Sequence, residues 1–395
     1  MTATSTPSPR SRVLSLDIVR GAVMVLMAID HVRVYAGVPP GGPTPGVFFT
    51  RWVTHFCAPA FVFLAGTAAY LYGQKVADPK QLSRFLATRG AWLILLELTV
   101  LRFGWTFNVD YGDYLLAGVI WMIGWCMVLM AVVVRMPLAG VAALGAGIVG
   151  LHNLTDLASD QLSAAAQASA TPWLWQILYL GGPLPLGGDG GPTMAVLYSI
   201  VPWIGVMALG YAFGWIIRLE PARRTKACYV IGMAAILLFL ILRGFNWYGD
   251  PWPWGTGNMP AWLAFLSTTK YPASLSFLLM TLGPTVVAVA LLDRAGGKIA
   301  AWVATFGRVP FFYYVLHIPL IHLLALGVAF VRTPESVGWL FENHPMMMPP
   351  APADYQWSLP LLYLVFVVAV GLLYFPCRWF ADLKARRSDW WLGYL

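Results

Sequence analysis

Residues 16–35 read LDIVRGAVMVLMAIDHVRVY, and the class of the molecule turns on how that stretch is interpreted. Its middle is apolar enough to cross a bilayer. Its ends carry Asp17 and Arg20 on one side and Asp30, His31 and Arg33 on the other. Ionisable side chains inside a membrane span are costly, so they mark functional sites by default. Ten residues separate Arg20 from His31. At about 100° per residue, eleven steps return to within roughly 20° of the starting face, with a rise of about 16 Å. One stripe of one helix therefore carries a cation near one membrane surface and an imidazole towards the other.

The rest of the chain has the same character. It is 59% hydrophobic and 11% charged, against roughly 45–50% and 25% for soluble domains. Long apolar runs recur throughout, which predicts an all-α polytopic membrane protein with about ten transmembrane helices in one bundle. The expected spans are 15–38, 47–72, 85–107, 115–134, 137–151, 194–217, 227–242, 271–292, 309–331 and 358–375. Residues 299–306 are open to reading as a separate interfacial helix. Residues 1–14 are expected to be a disordered cytoplasmic N-terminus, 15–380 one transmembrane domain with an outer loop at 152–193, and 381–395 a basic cytoplasmic tail.

The basic loops alternate. Arg12, Lys75, Lys80, Arg84, Arg135, Arg223, Arg224, Lys226, Arg294, Lys298, Lys384, Arg386 and Arg387 all fall on one side of a ten-span chain. The positive-inside rule then puts both termini in the cytoplasm. The net charge of +8 resides in these short loops, so it does not argue for nucleic acid. Cys57, Cys126, Cys228 and Cys377 have no metal-ligand or redox spacing and read as small core residues. Residues 10–30 resemble the start of a signal peptide but lack a clear cleavage site.

This topology converts position into depth. Asp30, His31, Arg33, Arg51, His55, Glu97 and Arg102 all fall in the outer half of the first three spans. Facing inward, such a cluster suits acid–base chemistry; the plainer reading is mutual pairing, as Asp30 and Arg33 are three residues apart. Asp30 and His31 point about 100° apart, so Asp30 does not orient His31, a role left to Glu97 or a backbone carbonyl. On the inner side, Arg20, Arg84 and Arg89 form a cation set that fits a polyanion such as a nucleotide or coenzyme phosphate. His317 and His322 lie five apart on the ninth span, on different helix faces. His152 and His344 are expected in solvated outer loops. The glycine-rich 181–192 lacks the ending of a phosphate loop, Asn153 starts a glycosylation sequon, and no zinc signature is present.

RVLSLDIVRGAVMVLMAIDHVR and THFCAPAFVFLAGTAAYL resemble the first two spans of the heparan-α-glucosaminide N-acetyltransferase domain family, related to the integral-membrane acyltransferase family 3 group. The resemblance is most specific over residues 12–71 and extends more loosely to GRVPFFYYVLHIPLIH. It implies transfer of an acetyl group from cytoplasmic acetyl-CoA to an amine or hydroxyl of a sugar or glycoconjugate on the far side of the membrane. The Arg-x10-His spacing matches the wider group's motif, with His31 in the catalytic position and Arg20, Arg84 and Arg89 towards the coenzyme, although the arginine pair here is RxxxxR rather than RxxR. In the lysosomal branch the active histidine precedes the second span; the loop here has none, and His55 replaces that branch's Asp. The catalytic histidine is therefore His31 or His55, with Asp30 beside it. Arg33, Arg51 and Asn108 are candidates for stabilising the oxyanion, and Glu97 for contacting the substrate side. The implied partners are the acceptor sugar, the bilayer and a second copy in a homodimer; no metal or haem is expected. The implied location is a bacterial cytoplasmic membrane. The rival functional classes are a transporter or flippase with a proton-coupled outer site, and a haem protein using the intramembrane histidines.

Overall fold

The structure is a computed structural model that describes residues 13–41, 44–76, 78–169, 171–187, 190–256, 258–342 and 350–395. Of the expected disordered residues 1–14, residues 1–12, with Arg12, lie outside the described residues, as does His344, whereas Leu14 already belongs to the first helix. The chain opens with α1 (Leu14–Tyr35), α2 (Pro45–Trp52), α3 (Cys57–Val76), α4 (Pro79–Leu96) and α5 (Arg102–Thr106). A 3-10 turn joins α2 to α3, and a π turn joins α4 to α5, so each pair runs as one long rod. Then come β1 (Tyr114–Ala117), α6 (Val119–Val133), α7 (Leu138–Leu151), α8 (Ser159–Ala168), α9 (Pro172–Trp175), β2 (Gly182–Pro185) and β3 (Thr193–Val196). The second half holds α10 (Val201–Ile217), α11 (Pro221–Phe245), α12 (Ala261–Leu266), α13 (Leu275–Leu291), α14 (Gly297–Arg308), α15 (Pro310–Arg332), α16 (Val337–Glu342) and α17 (Leu359–Arg386).

Helices α2, α4, α11 and α13 start where a side chain satisfies one of their first free N–H groups. Thr44, Asp78, Glu220 and Ser274 each accept such a bond, and Pro45, Pro79 and Pro221 follow in the first turn. Among the described residues, six helical stretches are long and apolar enough to cross a membrane: Pro45–Val76, Leu138–Leu157, Pro221–Phe245, Leu275–Arg294, Pro310–Arg332 and Leu359–Arg386. Val119–Val133 and Val201–Ile217 are shorter apolar helices. The rods α1 and α4 carry more charge, with Asp17, Arg20, Asp30 and Arg33 on one and Lys80, Arg84 and Arg89 on the other. The polytopic all-α class therefore stands, with six helices that meet these criteria among the described residues.

Two expected spans begin later than the apolar pattern suggests. Residues 114–117 and 193–196 pair as parallel strands β1 and β3, with β2 antiparallel on β3's other edge. Apolar runs of four residues bounded by glycine or proline fit either structure; strand pairing decides it here. Residues 297–308 form a helix of their own, α14, exposed at its start and buried over Ala304–Gly307. It lies along α1 at backbone contact: a Cβ on Gly21 would fall 2.0 Å from the Val303 carbonyl oxygen, and one on Gly307 would fall 1.9 Å from that of Asp17. Glycine lets backbones approach this closely in apolar bundles. The crossing matters because α15 continues from α14 after Pro310 and is thereby held against α1.

Ends of the rods that carry the basic loops meet at one end of the bundle. Arg218 bonds Gln74, Arg224 pairs with Asp293 at 2.8 Å, and Arg135 reaches Ser83 at 3.3 Å. The C-terminal segment folds back there too: Arg89 donates to the Gly393 carbonyl, and the Thr88 and Tyr394 hydroxyls lie 2.9 Å apart. All four cysteines are buried and unbridged.

Candidate active site

The last turn of α1 places His31 beside α15. Its Nδ1 lies 2.5 Å from His317 Nε2, with the rings stacked at 4.7 Å between centroids. Trp105 stands edge-on to His31 at 4.9 Å, and Tyr314 at 6.4 Å. His317 is fully buried, and its Nδ1 faces the backbone carbonyls of Tyr314 at 2.7 Å and Tyr313 at 3.2 Å. Carbonyl oxygens only accept, so His317 Nδ1 carries a proton. In a neutral His317 the Nε2 atom is then an acceptor. That makes His31 Nδ1 the donor and leaves the lone pair on His31 Nε2. Neither Glu97 nor a carbonyl orients His31 directly. A second histidine does so, and carbonyls in turn set its tautomer.

Asp30 turns away from this pair, as the helical angle requires. It accepts from Arg33 Nε at 2.7 Å, and Arg33 also donates to the Val38 carbonyl at 2.7 Å. Arg51 and Lys270 both lie within electrostatic reach of Asp30 and of His55. His55 is buried, edge-on to Phe277 at 5.5 Å, with no hydrogen-bond partner for Nδ1 among the described residues. The structure thus brings together Asp30, His31, Arg33, Arg51 and His55 from the expected set and adds His317 and Lys270.

Glu97, Arg102 and Asn108 serve other contacts. Glu97 Oε2 accepts from the Ile120 and Trp121 N–H groups at 2.7 and 3.1 Å, at the start of α6. Arg102 donates to the carbonyls of Tyr114, Asn108 and Asp110. The Asn108 side chain accepts from the Asp110 N–H at 2.7 Å, closing a turn. His322 is also buried, but it is stacked between Tyr35 at 4.9 Å and Phe107 at 4.1 Å, about 140° around α15 from His317.

His152 is not solvated. It is buried, with Nε2 2.8 Å from the Ala273 carbonyl, because the segment after α7 packs on the start of α13. Asn153 is 3% exposed and holds the Leu275 N–H at 2.7 Å, so its sequon is inaccessible.

At the opposite end of α1, Arg20 donates to the Gly307 carbonyl at 3.2 Å and faces Asp17 at 3.5 Å. Arg20 and Arg89 lie within electrostatic reach of each other. Arg84 is exposed and about 140° around α4 from Arg89, so the two arginines of the RxxxxR pair do not share a face.

Two residues of this site escape sequence reasoning for different reasons. His317 is visible as an intramembrane histidine, but its partner is 286 positions away. Lys270 sits just before α13, on the side where cations are scarce, and that exception to the charge pattern is its only local signal.

Among the described residues no group of histidine, cysteine and carboxylate side chains is arranged to hold a metal ion. No curated protein matches the chain. A family model described as heparan-alpha-glucosaminide N-acetyltransferase, catalytic, matches residues 12–244, more than half the sequence; His317 and Lys270 lie beyond that match. The span includes the whole of α1 with its Arg20 and His31, and the chain belongs to this family of membrane acetyltransferases.

Proposed function

We propose that the protein transfers an acetyl group from cytoplasmic acetyl-CoA to an amine or hydroxyl of a sugar or glycoconjugate on the outer side of the membrane. In this reading the rods at the ten expected positions all span the bilayer, both termini are cytoplasmic, and 15–380 is the acyltransferase domain. The observation that carries it is the 2.5 Å contact between His31 and His317, with His317 Nδ1 held on two carbonyls. It supports a general base with its lone pair on His31 Nε2 and a fixed ring orientation.

His31 Nε2 takes the proton of the acceptor amine or hydroxyl as that atom attacks the thioester carbonyl. The tetrahedral oxyanion forms near Arg33, Arg51 and Lys270, whose charges meet at Asp30. When the C–S bond breaks, the sulfur leaves with the electron pair and takes the proton from His31, so free coenzyme thiol and the acetylated acceptor are the products. His317 is a positioning residue; His55 is a second base candidate in the same cluster. Arg20 and Arg89 would hold coenzyme phosphates about 16 Å below, the rise of α1 between Arg20 and His31. The test is acetyl-CoA binding to detergent-purified protein, wild type beside Arg20→Ala, by calorimetry. Saturable binding weakened in the variant is expected. A folded wild type that binds no acetyl-CoA at millimolar concentration overturns the reading and favours a transporter.

A further inference from the structure

A hollow of about 250 Å³ is lined among others by Gly181, Tyr198, Ser199, Trp203, Lys270 and Tyr271. It lies slightly below the roughly 300–1,000 Å³ of drug-sized pockets, which suits one monosaccharide unit rather than a long chain. Lys270, which lines the hollow, lies within electrostatic reach of His31, Asp30 and His55, and this links the hollow to the candidate site.

Two polar groups in this lining have hydrogen-bonding capacity left over. Ser199 is 4% exposed, and its Oγ has no hydrogen-bond partner among the described residues. Buried hydroxyls are nearly always bonded, so a lone one in a hollow points to a ligand. The Lys270 ammonium stands over the rings of Tyr198 at 5.8 Å and Tyr271 at 5.2 Å, and has neither a carboxylate nor a carbonyl partner among the described residues. Ring faces hold a cation in place without neutralising it. The nearby carboxylate, Asp30, is already engaged by Arg33. Three cations, Arg33, Arg51 and Lys270, thus act on one carboxylate, of which Arg33 pairs with it directly. Gly181 has φ +69° where the chain bends into the lining, and a side chain there would be strained.

We propose that this hollow is the acceptor subsite and that it selects a sugar bearing an acidic group, carboxylate or phosphate, which bonds the Lys270 ammonium and the Ser199 hydroxyl. The acceptor role rests on the acetyltransfer reading; the binding of an acidic sugar does not.

Binding of three amino sugars to detergent-purified full-length protein tests it: glucosamine, muramic acid (a carboxylate) and glucosamine 6-phosphate, with acetyl-CoA titrated separately. Wild type is expected to bind at least one acidic sugar about 10-fold or more tighter than glucosamine, as for one charge-assisted hydrogen bond. Which acidic sugar gains identifies the group. Lys270→Gln is expected to abolish the difference and Lys270→Arg to retain most of it. Ser199→Ala is expected to weaken the acidic sugar only. Equal binding of all three sugars by wild type, or a preference unchanged in folded Lys270→Gln, overturns the proposal. Preference without acetyl-CoA binding keeps the subsite and removes the acetyltransferase reading instead.

Discussion

Arg102 and Lys270 each hold a cation against two tyrosine rings on the His31 side of the bundle. The Arg102 guanidinium lies 4.7 Å from the Tyr111 ring centre and 4.5 Å from that of Tyr114, and the Lys270 ammonium lies against Tyr198 and Tyr271 at similar range. Their remaining contacts differ. Arg102 is 1% exposed and donates to three backbone carbonyls, so its hydrogen-bonding capacity is spent on closing the turn after α5. Lys270 bonds no carbonyl or carboxylate among the described residues and lines a hollow. Buried charge alone therefore does not identify a site. What distinguishes chemistry from scaffolding is capacity left over after the chain's own groups are satisfied. His31 Nε2 and Ser199 Oγ fall on Lys270's side of that division.

The strongest way to break this division is at His31. His31→Ala is expected to lower acetyl transfer to a glycan acceptor by about 10²–10⁴-fold, the usual worth of a general base, with the unfolding midpoint in detergent unchanged. A marked loss of stability with the rate retained would move His31 to the scaffold side. Arg102→Leu makes the converse prediction. Three orphaned carbonyls are expected to cost roughly 3 kcal/mol or more, seen as a midpoint lowered by several degrees, while the residual folded protein still binds acetyl-CoA.

His317 sharpens the comparison, because it spends one nitrogen on carbonyls and the other on His31. His317→Ala is expected to slow transfer about 10–100-fold, as for other orienting partners. Gln can still accept from His31 Nδ1, so His317→Gln is expected to recover part of the rate. A purely packing role would give no such rescue. The smallest contrast is at the basic end of the bundle. Arg89→Ala is expected to weaken acetyl-CoA binding about 10-fold through loss of one charge-assisted contact. Arg84→Ala, exposed on another helix face, is expected to change it by less than about twofold. Equal effects in calorimetry would mean that both arginines reach the coenzyme.

Sequence and structure divide along the same physical line. The class was legible because hydropathy is a sum over one segment at a time, and the Arg20–His31 stripe because helical periodicity is local. The angle between Asp30 and His31 was legible for the same reason, and the Asp30–Arg33 pair has the three-residue spacing that allows it. The strands at 114–117 and 193–196 were not, since each exists only through pairing with the other. Nor was the identity of His31's partner: His317 reaches it because Gly21 and Gly307 let α14 lie on α1 at backbone distance, which holds α15 in place. Which charges remain free is likewise a tertiary fact, since Arg102, Glu97 and His152 find their partners in distant loops and helix starts. The sequence by itself determined a charged, apolar, helical membrane protein with a histidine and an arginine on one face of its first helix. Only the packing decided which of its buried polar groups have capacity to spare, because that depends on partners the chain brings together from far apart.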